Sequence, residues 1–527
     1  MRLHRLKAIS ALGAALAVAG AAACPAVAAV AAAPTAQPIG AECTSDPSAC
    51  FTLASVSLEG LTVYKPGDLA PLYDAYLTHE VGPADLAAIA AAITERYRRD
   101  GYFLSRAVVP PQLRGGHMAR IRIYEGYVDE IDIKGAGSPA VARTLKAVAA
   151  KRPLKLAELD RALSLAGDTP GVRVKSHLEP DLDDPARHRL VADVTTKRVE
   201  ASAYVDNRGP KTAGPWQAYL RGAVNSALIA GDQIALALLT VPFNLRSFAF
   251  GEMSYSLPAG RNGERLRGVF SLARAKDGAD PISQDVGSDS WSANLSYLKP
   301  LWRSRRVNSF AQLTASARHV DQDWNNGGQY RDEVRALRGM IGATFTDPGR
   351  STNAWAQLSA GRRGDNTALL SRTDASKDFA KLNGHVSHYR DIGRHAGLYL
   401  SADGQYSNDR LLASEEFIVG GAPYGRGYSY AAIGGDRGVV GTAELRAGFK
   451  PNIKGVSFVQ GYGFLDAGRV WNRGPGGDYD IASTGVGMRV RLGDKATVGV
   501  EAAKPLKKIP WERDTGWKPY LYLSTAF

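Results

Sequence analysis

A chain of 527 residues is too long for one hydrophobic core, and 56 Gly, 22 Tyr and a 45% hydrophobic content suit a β-rich protein better than a helical one. The formal net charge of +13 is spread along the chain rather than gathered in basic blocks. That pattern argues against nucleic acid as a partner and leaves anionic lipid or an acidic protein.

Arg2, Arg5 and Lys7 precede an uncharged, alanine-rich run from Ala8 to Ala23, with Ala26-Val27-Ala28 beyond it. This is the layout of a secretory signal, with residues 1–28 removed by cleavage near Ala28. Cys24 lacks the large apolar neighbour of a lipoprotein site and leaves with the signal. In the segment 29–50, Cys43 and Cys50 read as a short structural disulfide of an exported chain. Beyond the signal no uncharged stretch reaches the roughly 20 residues of a helical membrane span, so any crossing must use β-strands.

From Phe51 the chain alternates strands with helices. Phe51–Gly60 reads as one strand, Asp85–Arg99 as a helix with Leu86, Ile89, Ile93 and Tyr97 on one face, and Phe103–Val109 and Ala119–Glu125 as strands. A second unit repeats this grammar: strand Tyr127–Lys134, helices Pro139–Ala150 and Leu156–Ala166, strands Val172–Leu178 and Arg189–Thr196. Gly101-Tyr102, Val108-Val109-Pro110-Pro111-Gln112 and Ile121-Arg122-Ile123-Tyr124-Glu125-Gly126 resemble the first POTRA domain of two-partner secretion transporters. The expected domains are therefore 51–126 and 127–198, followed by a third region, 199–527.

In that third region the grammar becomes alternating strands. Trp291, Ala293, Leu295 and Tyr297 oppose Ser292, Asn294 and Ser296, and Met488, Val490 and Leu492 oppose Arg489 and Arg491. Alternation alone fits a soluble sandwich or a membrane barrel. The export signal, the long series of strands and a last strand, Lys518–Phe527, that ends on an aromatic residue favour the barrel. This ending resembles the C-terminal assembly signal of outer-membrane barrels, with Phe527 as its last residue. About 330 residues allow roughly 16 strands, and a barrel that wide needs something inside it.

One loop stands out: Gly420-Gly421-Ala422-Pro423-Tyr424-Gly425-Arg426-Gly427-Tyr428. By itself it reads as an exposed turn with a solvated arginine. Strand phasing, however, turns Glu444 and Asp466 towards the lumen, opposite Leu445 and Leu465. The residues leave two readings open: the loop folds inward and Arg426 pairs with Asp466, with Glu444 as secondary partner, or the acids line a wet pore. Glu415 and Glu416 read as loop or rim charges.

The lead-in Leu411–Gly421, the Arg426-Gly427-Tyr428 tip and the strand Phe464-Leu465-Asp466-Ala467-Gly468 together resemble the signature of TpsB two-partner secretion transporters, the haemolysin and filamentous-haemagglutinin exporters. Val205-Asp206-Asn207-Arg208-Gly209, Tyr255–Gly260 and Pro300–Arg305 support the resemblance. It implies a membrane β-barrel of about 16 antiparallel strands preceded by two periplasmic α+β POTRA domains. It further implies an outer-membrane transporter that passes an unfolded secreted exoprotein, which carries its own signal peptide, to the surface without ATP. In the family the loop lies inside the barrel and its Arg bonds the Asp of the later strand, which carries over to Arg426 and Asp466. Outer-membrane lipids, and the barrel-assembly machinery during biogenesis, are the other implied partners. The short, proline-bearing segment 29–50 departs from members that begin with a pore-plugging helix. HExxH, GxSxG and Cys/His ligand clusters are missing from the sequence, so no catalytic residue, metal or cofactor is expected. The competing reading is a barrel-assembly factor built from the same parts; such factors usually carry more POTRA domains.

Overall fold

The structure, a computed structural model, describes residues 39, 43 and 50–527 apart from 113–116, 136–138, 210–213, 243, 245–246, 277–285, 325–327, 366–368, 475 and 513. The expected signal segment 1–28 lies outside the described residues, as does nearly all of 29–50. Cys43 and Cys50 are described and are joined by a disulfide. The chain forms two compact units: the residues up to Asp100 with Ser105–Glu125, and Gly101–Leu104 with Gly126–Phe527.

The first unit holds a three-stranded sheet in which Met118–Tyr124 lies between Ser55–Glu59, parallel to it, and Arg106–Val108, antiparallel. Its long helix is Pro83–Arg99. Proline at the first position, the Asp85 carboxylate accepting the Gly82 N–H at 2.9 Å, and Arg96, Arg98 and Arg99 in the last turn suit the two ends of the helix dipole. Leu86, Ile89, Ile93 and Tyr97 are buried on one face, as their spacing predicts. The strand expected over Phe51–Gly60 is instead two. Phe51–Thr52 pairs with Glu80–Val81, Leu53 sinks into the core, and Ser55–Glu59 then takes Met118–Tyr124 as partner. Phe103–Val109 keeps only Arg106–Val108 as strand, because Phe103 and Leu104 belong to the second unit and pack on its core.

Glu125, just after the central strand, closes this first unit. It accepts the main-chain N–H of Thr62 (2.8 Å) and Val63 (2.9 Å) and the Tyr97 hydroxyl (2.7 Å). Burial alone would raise its pKa, but these hydrogen bonds, with one from the Thr62 hydroxyl, hold it below the ordinary carboxylate range. A carboxyl whose pKa is lowered in the folded state stabilises above the unfolded value, and that contribution is lost as the pH falls through the folded value. In the full-length protein, Glu125→Ala is therefore expected to cost about 1–3 kcal/mol at neutral pH and much less in acid. Hydrogen exchange at the Thr62 and Val63 amides, followed from neutral to acid pH, measures it.

In the second unit a three-stranded sheet runs Tyr127–Gly135, Arg187–Thr196, Val172–Pro180. Helices Pro139–Ala149 and Leu156–Gly167 pack Val141, Leu145, Leu159 and Ala162 against Leu190 and Ala192. This leads into a closed barrel of sixteen strands among the described residues, antiparallel throughout, from Val199–Asp206 to Lys518–Ala526, which pair with one another. Leu295, Ile341, Leu358, Leu445, Leu465 and Val486 project outward and exposed, while Tyr462, Phe464, Asp466 and Ser483 are buried within. That outer band is what lipid requires, and it carries the membrane-facing alternation read from the sequence. Replacing outward Leu358 by Arg should cost the folded barrel about 2–4 kcal/mol, whereas Arg at lumen-facing Gln357 should cost far less. Urea-driven folding into lipid vesicles would show the difference.

Candidate functional site

The wide lumen is occupied by the chain's own segment between strands Ala396–Ser407 and Arg437–Phe449. A 3-10 turn, Ala413–Glu415, and a short antiparallel pair, Phe417–Val419 with Ile433–Gly435, give this segment internal order. Val419, Tyr428 and Ile433 form an apolar core with Val440, Val470 and Ile481 of the barrel wall and with Ile509. Burial of this apolar surface holds the loop inside in the first place.

Polar contacts then fix its tip. Arg426 is 5% exposed and Asp466 0%. The guanidinium forks onto the carboxylate, Nη2 to Oδ1 at 2.8 Å and Nε to Oδ2 at 3.1 Å. Asp466 Oδ2 also accepts the main-chain N–H of Gly425 (3.1 Å) and Arg426 (3.0 Å) and the Ser483 hydroxyl (3.1 Å). Arg426 Nη1 reaches Glu444 at 3.0 Å and Nη2 donates to Thr442 at 2.9 Å. Its guanidinium carbon lies 3.3 Å from the ring centre of Phe464. A third carboxylate, Glu501, stands 3.5 Å from Nη1. Glu444 is shared further with Arg446 (2.7 Å) and Arg489 (3.2 Å). An arginine fork fits such a site because its planar donors satisfy two carboxylate oxygens at once, where a lysine offers a point charge.

The glycines are explained by what surrounds them. Gly425 has φ +81, and a Cβ there would also meet Ile481 at 2.6 Å. Gly427 lies against the strand Ala496–Pro505 so closely that a Cβ would sit 2.5 Å from the Pro505 nitrogen. Gly420 and Gly421 sit where the loop folds back on Ser429–Ala432, and Gly468 fits under Val440 and Val419. The buried Tyr428 shares its hydroxyl proton between the carbonyls of Lys507 (2.7 Å) and Ala482 (2.9 Å). Phe527 ends the seam with main-chain hydrogen bonds in both directions to Ala201.

Glu415 and Glu416, read from the sequence as loop or rim charges, are ion-paired inside the barrel. Glu415 is 3% exposed and binds Arg338 (2.7 Å) and Lys381 (2.8 Å). Glu416 pairs with Arg372, which also holds the fully buried Asp436 at 2.8 Å. Two adjacent acids in a strand would face opposite sides, but here the 3-10 turn ends between them and both find cations. Sequence reading also missed Glu501 and Thr442. Each lies on the lumen face by simple alternation, Glu501 opposite Val500 and Thr442 on the side of Glu444. At the other end of the barrel the Pro300–Arg305 motif meets the second α+β unit: Arg305 pairs with Asp160 at 2.9 Å, and Arg303 pairs with Asp168.

A barrel with a lipid-facing outer band, a lumen filled by its own pinned loop and α+β units ahead of it is an outer-membrane β-barrel of the transporting kind. Residues 51–126 match the POTRA domain of ShlB type, and residues 190–490 match the haemolysin secretion/activation protein family ShlB/FhaC/HecB. The chain belongs to that family, the TpsB transporters of two-partner secretion, and is an outer-membrane protein with its POTRA domain in the periplasm. The heme/hemopexin transporter protein HuxB of Haemophilus influenzae (strain 86-028NP) is 21% identical over 459 residues, 83% of this chain and 80% of HuxB. Outer membrane transporter CdiB of Escherichia coli is 24% identical over 426 residues, 74% of this chain and 68% of CdiB. The solved structure of CdiB from Escherichia coli has the same fold, with a TM-score of 0.76 at 20% identity over 96% of this chain and 94% of that one.

Removing Arg426 would leave the buried Asp466 without its cation, so Arg426→Ala should destabilise the barrel by about 3–5 kcal/mol, with Arg426→Lys in between. Urea unfolding of the lipid-reconstituted protein would report this. Protease cutting within residues 420–430 should rise in the same order.

Proposed function

We propose that this chain captures an unfolded exoprotein in the periplasm and passes it through its barrel to the cell surface. The loop pinned by Arg426 and Asp466 acts as an internal strut of that pore. The observation that carries this reading is the buried fork itself, an ordered and costly arrangement in a lumen that a passive pore would fill with water. Glu444 is the secondary partner, and Gly420, Gly421, Gly425, Gly427, Tyr428, Phe464 and Gly468 shape the seat.

Residues 127–198 act as a second POTRA domain beside residues 51–126, ahead of the barrel 199–527, once the signal 1–28 has been removed. Each small sheet has an edge strand, Arg106–Val108 in one, where the Ala107 N–H already donates to the Thr94 hydroxyl at 2.9 Å, and Val172–Pro180 in the other. An extended cargo can add to such an edge through main-chain hydrogen bonds, which tolerate many sequences. The exoprotein brings its own signal peptide to reach the periplasm. Transport draws on binding and on folding of the cargo outside, without ATP. The barrel-assembly machinery reads the last strand up to Phe527 during biogenesis, and the outer band then rests in outer-membrane lipid.

Deleting the protein should abolish surface release of an exoprotein encoded beside it, and normal release would refute the reading. Arg426→Ala, expressed in the deletion strain, should cut release by about tenfold or more while surface-labelled barrel falls by much less. Equal losses of both would make Arg426 a folding residue only.

A further inference from the structure

The barrel closes where its first strand, Val199–Asp206, meets its last, Lys518–Ala526. This seam has five paired positions, Tyr522↔Asp206 to Ala526↔Ser202. The ladders on either side of it each have eight, Gln217↔Asp206 to Val224↔Val199 and Ala496↔Thr525 to Ala503↔Lys518. Beyond Asp206 the regular ladder stops, near Pro519, which has no N–H to give. The Asn207 N–H still donates to the Leu521 carbonyl at 3.3 Å, and side chains continue the join from there. Asn207 Oδ1 accepts the Leu521 N–H at 2.8 Å, and its amide donates to the Pro519 carbonyl at 3.3 Å. The Asp206 carboxylate accepts the Arg208 N–H at 3.1 Å and so turns Arg208 inward. There the guanidinium lies 4.2 Å from the ring centre of Tyr520 and donates to Glu501 Oε1 at 2.8 Å.

Glu501 is the shared element. It is 5% exposed, its Oε2 accepts the Tyr462 hydroxyl at 2.9 Å, and the same oxygen stands 3.5 Å from Arg426 Nη1. One buried carboxylate thus faces the arginine of the seam with one oxygen and the arginine of the inward loop with the other. We propose that Arg208 is a positioning residue that clasps the extracellular end of the seam, and that Glu501 couples this clasp to the seating of the loop. With Arg208 in place, Glu501 is held towards Arg426; with Arg426 in place, Glu501 is held in position for Arg208. By linkage each seating strengthens the other, so unseating the loop loosens the seam. The proposal rests on the reading of the loop as a strut of the transport pore and adds where its displacement would be felt.

The test is hydrogen exchange of full-length protein in lipid nanodiscs, without cargo, followed in peptides covering 199–206 and 518–526 and, as control, the hairpin of strands Val286–Arg303 and Val307–Trp324. Arg208→Ala and Arg426→Ala should each speed exchange at the seam by about tenfold and leave the control hairpin unchanged. The double variant should be no faster than the faster single one, and Arg208→Lys should restore part of the protection. Should Arg208→Ala fail to insert, Glu501→Gln takes its place in the same cycle with Arg426→Ala, since it keeps shape and removes the shared charge. Wild-type exchange at the seam in Arg426→Ala, or rates that simply multiply in the double variant, would overturn the coupling. Because no cargo is present, that failure would be distinct from a failure of the secretion reading.

Discussion

A cation buried in the middle of a membrane barrel can persist only if its surroundings were built for it. Arg426 meets this condition through Asp466, which no solvent reaches and which binds the arginine side chain, its own N–H and that of Gly425. Desolvating such a pair costs several kcal/mol per ion, and the gain returns only with complete hydrogen bonding and exact placement of the fork. The positive φ of Gly425, the close approach of Gly427 to the strand behind it and the stacked Phe464 all follow from that requirement. So does the apolar core around Tyr428, which keeps water away from the pair.

The same constraint explains why the interior is a network rather than a lining. A sixteen-stranded barrel is too wide for strand side chains to fill, so a loop enters and brings charges with it. Those charges are matched from two strands and a loop: Arg338 and Lys381 for Glu415, Arg372 for Glu416 and Asp436. The loop is therefore held at its stem and at its tip by separate sets of buried ions. A loop held in this way is costly to rearrange at either point.

Much of this was legible in the sequence because strands have a period of two. Alternation alone put Glu444 and Asp466 on the lumen face opposite Leu445 and Leu465, and the order of motifs supplied the arginine that meets them. Helix faces in residues 51–198 were readable for an equally local reason, apolar residues at helical spacing, although the long helix starts at Pro83, two residues ahead of the expected Asp85. What was not legible depends on partners distant in sequence. The split of Phe51–Gly60 follows from a change of neighbouring strand at Leu53, which no local pattern announces. Glu415 and Glu416 looked like surface charges because their cations come from strands and a loop many residues away. Glu501 carried the right alternation but no glycine or arginine beside it to draw notice.

The central claim is that the buried fork between Arg426 and Asp466 serves transport and not only folding. Asp466→Asn keeps the shape and the acceptor for one N–H while removing the charge, so it probes the fork with the least disturbance to packing. The decisive measurement is exoprotein released per folded barrel in the outer membrane of cells carrying this variant. A fall of about tenfold with the barrel still inserted is what the account predicts, given the loss expected when one partner of a buried ion pair is neutralised. Release at the wild-type level from a fully inserted Asp466→Asn barrel would contradict it.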